Sequence, residues 1–187
     1  MEGGPDAPRF PDHVQRAFYN RWARKHGIKK QSCCLANGMA LDVGKGFSCR
    51  RNDLHLLRES DLNIRMTALT ADQPPADKFQ LYGDSAYVVM QSITSADNEE
   101  AFGHIKAGMN SCRESIEWQF RDIKIMWKYT SLKYKLQLLD QFLKVDDLID
   151  TCFIFNNAWN CMNGNETSQY FKSPPPSFET YTSLGPR

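Results

Sequence analysis

Apolar and polar positions along the chain repeat with two periods, and each period predicts a class of element. The stretch Ile28 to Leu35 reads as a strand and Met39 to Val43 as its return, with Asn37-Gly38 between them. That dipeptide predicts a type I′ turn, whose two central positions both need positive φ. Gly44-Lys45-Gly46 breaks the second strand. Arg50-Arg51-Asn52-Asp53 then leads into a short helix, Leu54 to Glu59, with Asn52 or Asp53 as its N-cap. Phe79 to Tyr82 is a further strand, ended by Gly83-Asp84.

The second half has helical periodicity. From Asn110 to about Trp127 the apolar stripe is Ile116, Phe120, Ile123 and Trp127. From about Leu138 to Trp159 it is Leu138, Phe142, Val145, Ile149, Cys152 and Phe153, with Gly164 as the stop. Val14 to His26 mixes aromatics with bases at weak helical spacing. Thr70 to Asp77 and Asp97 to Lys106 read as loops. The predicted organisation is an unstructured segment over 1–13, one α/β domain over 14–165, and an extended, proline-rich tail over 166–187.

Composition narrows the function classes. The net charge of +1 provides no global field for nucleic acid, so such binding needs local patches. An apolar fraction of 41% and 12% aromatics argue against disorder. Six cysteines, at 33, 34, 49, 112, 152 and 161, contain no Cys-x-x-Cys pair. Reduced thiols inside the cell are expected, with Cys33-Cys34 as packing residues. No apolar run approaches the ~20 residues that span a bilayer, and no secretory apolar region is visible, so no membrane partner is expected. Asn165-Glu166-Thr167 matches a glycosylation acceptor and reads as a loop.

Two carboxylates stand in suggestive places. Asp84 caps a strand end, where open α/β sheets keep their crevices, although a Gly-Asp pair there is also an ordinary turn. Glu117, Arg121, Lys124 and Lys128 recur at i, i+4, i+7 and i+11 and so share one helix face. A carboxylate followed by three bases fits a metal ligand beside a phosphate track. It equally fits a solvated face with one Glu–Arg pair of about 0.3 kcal/mol. His13, His26, His55 and His104 are scattered, and no nucleotide-binding glycine motif occurs.

Several separated blocks together resemble the DDE-superfamily endonuclease domain of PIF/Harbinger transposases and their domesticated relatives. They are Gln15-Arg16-x-x-Tyr19-Asn20 with His26-Gly27-Ile28-Lys29-x-Gln31, then Arg50-Arg51-Asn52-Asp53-Leu54-x-Leu56-Leu57-x-Glu59-Ser60. Leu81-x-Gly83-Asp84-Ser85-Ala86-Tyr87 and Arg113-x-Ser115-Ile116-Glu117-Trp118-x-Phe120 follow. Asn156-Asn157-Ala158-x-x-Cys161-x-x-Gly164-Asn165-x-Thr167-Ser168 and Pro174-Pro175-Pro176 close the series. The resemblance implies an RNase H-like mixed sheet flanked by helices and metal-dependent DNA cleavage with strand transfer. It implies Asp84 and Glu117 as catalytic metal ligands for Mg²⁺ or Mn²⁺, with Asp53 nearby. Arg113 of the Glu117 block, and Arg121, Lys124 and Lys128 of the basic helix face, are the expected nucleic-acid contacts. Such chemistry uses clustered carboxylates because two cations ~4 Å apart clamp the attacking and leaving oxygens.

The sequence departs from the pattern at one point. The family's first aspartate, in an Asp-Gly-Thr-like strand, has no counterpart in Met1 to Asp12; Asp6 and Asp12 lie in no strand-like context. A domain lacking its first strand is therefore expected, either a gene-model fragment or a decayed copy, with the 28–43 hairpin and the Phe79 strand sharing no neighbour. Such a chain is expected not to cut DNA. The other reading is a non-catalytic DNA- or protein-binding relic. The resemblance also implies a Myb-like DNA-binding partner and a nuclear location, or a cytoplasmic one when that partner is absent.

Overall fold

The computed structural model describes residues 16–21, 24–74, 78–84, 87, 93–95, 106–131 and 142–183. Around its middle runs a hairpin, β4 (Ser32–Cys34) and β5 (Ala40–Val43), paired antiparallel with a register shift at Cys33/Cys34. Leu35 N–H donates to the Met39 carbonyl at 2.9 Å, and Gly38 N–H to the Leu35 carbonyl at 2.8 Å. The loop therefore has three residues, Ala36, Asn37 and Gly38, and only Gly38 has positive φ (+79°) among them. This corrects the expected type I′ turn. A three-residue loop ending in a left-handed glycine needs positive φ once, so Asn37 keeps an ordinary backbone.

Each face of the hairpin carries helices. Cys33 packs on a buried cluster of Leu57, Leu62 and Met66. These come from α1 (Asp53–Glu59) and α2 (Leu62–Leu69). Ala40 and Val43 pack on the opposite cluster of Ile123, Cys152 and Phe153. These come from α4 (Ser115–Met126) and α5 (Phe142–Asn163). The result is a helix–strand–helix stack with two small cores, as burial on both faces of a strand pair demands.

The long strand expected over 28–35 is two strands. β3 (Ile28–Lys29) pairs with β6 (Phe47–Ser48), and the chain turns away at Lys30. Lys30 reaches inward to α5, where Asp146 and Asp150 (2.6 Å) hold its ammonium; the lysine side chain is 5% exposed. Asp146 also accepts from the Gly46 N–H at 3.0 Å, an approach that a Cβ on Gly46, 2.6 Å from the carboxylate oxygen, would block. One buried polar node thus ties α5 to Lys30 and Gly46, the residues through which the chain passes between the two ladders.

Within the stretch of weak helical spacing, β1 (Tyr19–Asn20) pairs antiparallel with β2 (Lys25–His26) as a third ladder. β7 (Leu81–Gly83) runs parallel to β8 (Ile93–Ser95). The described residues make four two-stranded ladders, mixed in sense, and no ladder among them joins the hairpin to β7. The α/β class holds; a single mixed sheet is not formed by the described residues.

The expected helix over 110–127 begins earlier and is broken at Glu114: α3 (Lys106–Arg113) ends one residue before it reaches α4. The second helix carries the expected stripe through Val145, Ile149, Cys152 and Phe153, and it stops at Gly164, whose φ is +71°; Leu138 lies outside the described residues. Residues 166–183 differ from an extended tail. α6 (Glu166–Tyr170) is started by a reciprocal cap between Asn165 and Ser168, and α7 (Phe178–Ser183) follows the prolines. Residues 1–13 and the 97–105 loop lie outside the described residues.

Candidate functional site

Asp84 follows directly from β7 and is half-buried. It lines a cavity of about 790 Å³ between the hairpin side of the fold and α3–α4. Met109, Arg113, Ile116 and Phe120 form one wall; Cys33, Leu62 and Met66 form the other. Arg113, the last residue of α3, stands half-buried in the cavity that Asp84 enters. The two sequence candidates from separate blocks are thus brought together.

Gly83 has a definite task. A Cβ there would lie 2.7 Å from the Tyr87 ring, so the glycine lets that ring pack onto the strand end. Tyr87 packs against the Leu57–Met66 cluster, and its hydroxyl accepts from Gln31 Nε2 at 2.8 Å. Burial pushes the phenol well above its ordinary range, and the charges of Asp53 and Asp84 push it further. The two carboxylates therefore act on one phenol. Tyr87 is a functional candidate that periodicity could not single out, because its role comes from what folds around it.

Asp53 is the first residue of α1, which Asn52 caps by accepting from the His55 N–H at 2.8 Å. Its carboxylate pairs with Lys29 Nζ at 2.8 Å, each side chain about one-third exposed (33%). An ammonium thus occupies the oxygen a cation would seek.

Glu117 lies elsewhere. It is exposed in the first turn of α4 and does not line the cavity; Ile116 and Phe120 do. Arg121 is held by Glu166 at 2.5 Å and by Asp122 at 3.2 Å, and the hydrogen bond to Glu166 leads in raising its pKa. Lys124 is exposed on α4. Lys128 has left the helix: Trp127 turns out at φ −113°, ψ 74°, and Lys128 opens the 3₁₀ turn Lys128–Ser131. The expected four-residue row is therefore three residues long, and one of its bases is spent on a salt bridge.

Hard oxygen donors suit Mg²⁺ or Mn²⁺. Among the described residues no group of three or more histidine, cysteine, aspartate or glutamate side chains is gathered for a metal. Asp84 and Asp53 fit such a cation in donor type; Asp84 lines the cavity and Asp53 does not. Glu117 does not join them in this arrangement. The thiols take no part: burial pushes Cys33 and Cys34 up to about 12, and all six cysteines are unbridged. His26 and His55 rest against Tyr19 and Phe47 as ring contacts, whereas His13 and His104 lie outside the described residues. No helix among the described residues is long and apolar enough to cross a membrane.

A family model described as DDE superfamily endonuclease matches residues 6–157, a span that contains Asp53, Asp84, Arg113 and Glu117. No curated protein and no solved structure matches the chain.

Proposed function

The chain belongs to the DDE superfamily endonuclease family, and on that footing we propose a transposase-derived, metal-dependent DNA nuclease domain of the PIF/Harbinger type. Asp84 and Glu117 are its cation ligands in this reading, with Asp53 beside them, and the ion is Mg²⁺ or Mn²⁺. The observation that carries it is the cavity that Asp84, Tyr87 and Arg113 line together. Glu117 enters from its family block rather than from the cavity.

A phosphodiester carries one negative charge and two non-bridging oxygens, which a guanidinium recognises through paired N–H donors. Arg113 is the group in the cavity able to do this. Asp84 is the carboxylate donor of the same cavity, and the bound cation would polarise the phosphodiester oxygens. Tyr87 stays protonated at neutral pH and keeps an O–H donor at the cavity edge, fixed by Gln31. Arg121, Lys124 and Lys128 supply outer contacts to the DNA backbone, and Arg121 must release Glu166 to do so.

The 187 residues hold no Asp-Gly-Thr block. A polypeptide of these residues is expected to bind a divalent ion without cutting DNA. Thermal melting in Mn²⁺ tests the first half: the midpoint should rise for the parent chain and stay fixed for Asp84→Asn, since a ligand that binds the folded state stabilises it. A flat response in both would support the other reading, a non-catalytic DNA- or protein-binding domain. Nicking of supercoiled plasmid tests the second half, and Mg²⁺-dependent nicking that Asp84→Ala abolishes would overturn the expected inactivity. The same reading carries a Myb-like partner and nuclear import that depends on it; expression of a tagged chain with and without such a partner reads both.

A further inference from the structure

A second cavity, of about 1060 Å³ and without Asp84 in its lining, lies between the β1–β2 ladder and the turn at 49–52. Its rim carries Arg16 and Arg21 on one side and Arg50 and Arg51 on the other, with Lys29 between them. Several cations of the fold are held by carboxylates: Arg65 by Asp42 at 2.6 Å, Arg121 by Glu166, Lys30 by two aspartates, and Lys29 on this rim by Asp53 at 2.8 Å. The four arginines of the rim are not. Among the described residues, no carboxylate pairs with Arg16, Arg21, Arg50 or Arg51, and all four are exposed. In a chain of net charge +1, that is a strong local concentration of positive charge.

The cleft is built rather than incidental. Ser48 Oγ donates to the Ala17 carbonyl, Gly27 N–H to the Phe18 carbonyl at 2.9 Å, and Cys49 N–H to the Gly27 carbonyl at 3.3 Å. The first and third of those bonds fasten the two walls to each other, and the second closes the β1–β2 ladder. One wall also presents a pair of rings, Tyr19 and His26, with centroids 5.3 Å apart and Tyr19 38% exposed.

We infer that this cleft is a binding site for single-stranded nucleic acid, distinct from the carboxylate cavity. Forked guanidiniums match phosphate oxygens, which ammonium groups do less specifically. An exposed aromatic offers a face on which an unpaired base can stack, and a duplex keeps that base inside its own stack. An acidic peptide would satisfy the arginines and leave the Tyr19–His26 wall without a role.

The test is fluorescence anisotropy of the full chain with a labelled 20-nucleotide thymidine oligomer, in EDTA so that no metal site contributes. With four arginines on phosphates, log K should fall against log salt with a slope of about −2.8. The pair Arg50→Ala with Arg51→Ala should halve that slope to about −1.4. Tyr19→Ala should weaken binding by roughly tenfold at unchanged slope, and Tyr19→Phe should restore it, which separates stacking from damage to the ladder. Duplex DNA of the same length should bind more weakly. An unchanged slope in the double variant, duplex binding equal to single-strand binding, or displacement of the oligomer by polyglutamate at equal charge would each overturn the inference.

Discussion

Asn157 on α5 holds both backbone groups of Ala40 on β5, 117 positions away: its Oδ1 accepts the Ala40 N–H at 2.8 Å and its Nδ2 donates to the Ala40 carbonyl at 3.0 Å. A side-chain amide thus stands where a neighbouring strand would run. It satisfies an edge that would otherwise bury unpaired polar groups. The same device recurs at the loop, where Asn160 Nδ2 donates to the Gly38 carbonyl at 3.2 Å and Asn165 Nδ2 to the Asn37 carbonyl at 2.9 Å. Asn157→Leu removes both partners of Ala40 and should cost about 1–3 kcal/mol. Asn157→Asp should be worse still, because a carboxylate keeps the acceptor and turns a second acceptor on the carbonyl. Urea melts of the two variants give the order directly.

The Lys30 node supplies a pH-dependent prediction. Its ammonium is buried between Asp146 and Asp150, so Lys30→Met leaves like charges facing each other and should cost about 3–5 kcal/mol at pH 7. Burial already raises the Asp150 pKa, and Lys30 is what opposes that rise. Without the lysine the folded-state value climbs further. A carboxyl whose folded pKa is raised adds stability in full below its unfolded value and loses it as pH rises through the folded one. The deficit of Lys30→Met should therefore shrink on acidification towards the ordinary carboxylate range. A deficit independent of pH would show that the variant fails for packing reasons alone.

Gly38 and Gly164 separate two reasons for glycine. Both have positive φ, +79° and +71°. A Cβ on Gly38 would lie 2.1 Å from Asn165 Oδ1, whereas one on Gly164 meets nothing within 4 Å. Gly164→Ala should cost about 1–2 kcal/mol, the left-handed backbone penalty. Gly38→Ala must also displace Asn165, which caps α6 and clamps the loop, so its cost should exceed that of Gly164→Ala measurably. Equal thermal shifts in the two variants would rule out the clamp.

The same positions show what local sequence can convey. Gly164 as a helix stop, Asn52 as a cap and the stripe from Val145 to Phe153 were legible because each rests on neighbours within a turn or two. α2 was not: it buries Leu62 and Met66 while Ile64 and Leu69 stay exposed, so no clean stripe marks it. α6 escaped because its cap uses serine at the third position where glutamate is the usual sign. The expected type I′ turn failed on a hydrogen bond, Leu35 to Met39, that adds one residue to the loop. Asp84 and Arg113, taken from separate blocks of the sequence, line one cavity. The common field of Asp53 and Asp84 at Tyr87, and the loss of Lys128 from the basic row, depend on how distant segments pack and on where a helix ends.

Lys29 decides what Asp53 can do. Its ammonium sits 2.8 Å from the Asp53 carboxylate, and a divalent cation at that oxygen must displace it. The pair is one-third exposed on each side, so it contributes little to folding, about 0–1 kcal/mol. Lys29→Met should therefore melt close to the parent chain in metal-free buffer. In Mn²⁺ it should gain more stability than the parent, because the competing charge is gone and a ligand that prefers the folded state stabilises it in proportion to its affinity. Adding Asp53→Asn to Lys29→Met should cancel that gain if Asp53 is a ligand. If the gain survives the second substitution, the ion is held by Asp84 without Asp53, and Asp53 serves only to start α1 and to anchor Lys29.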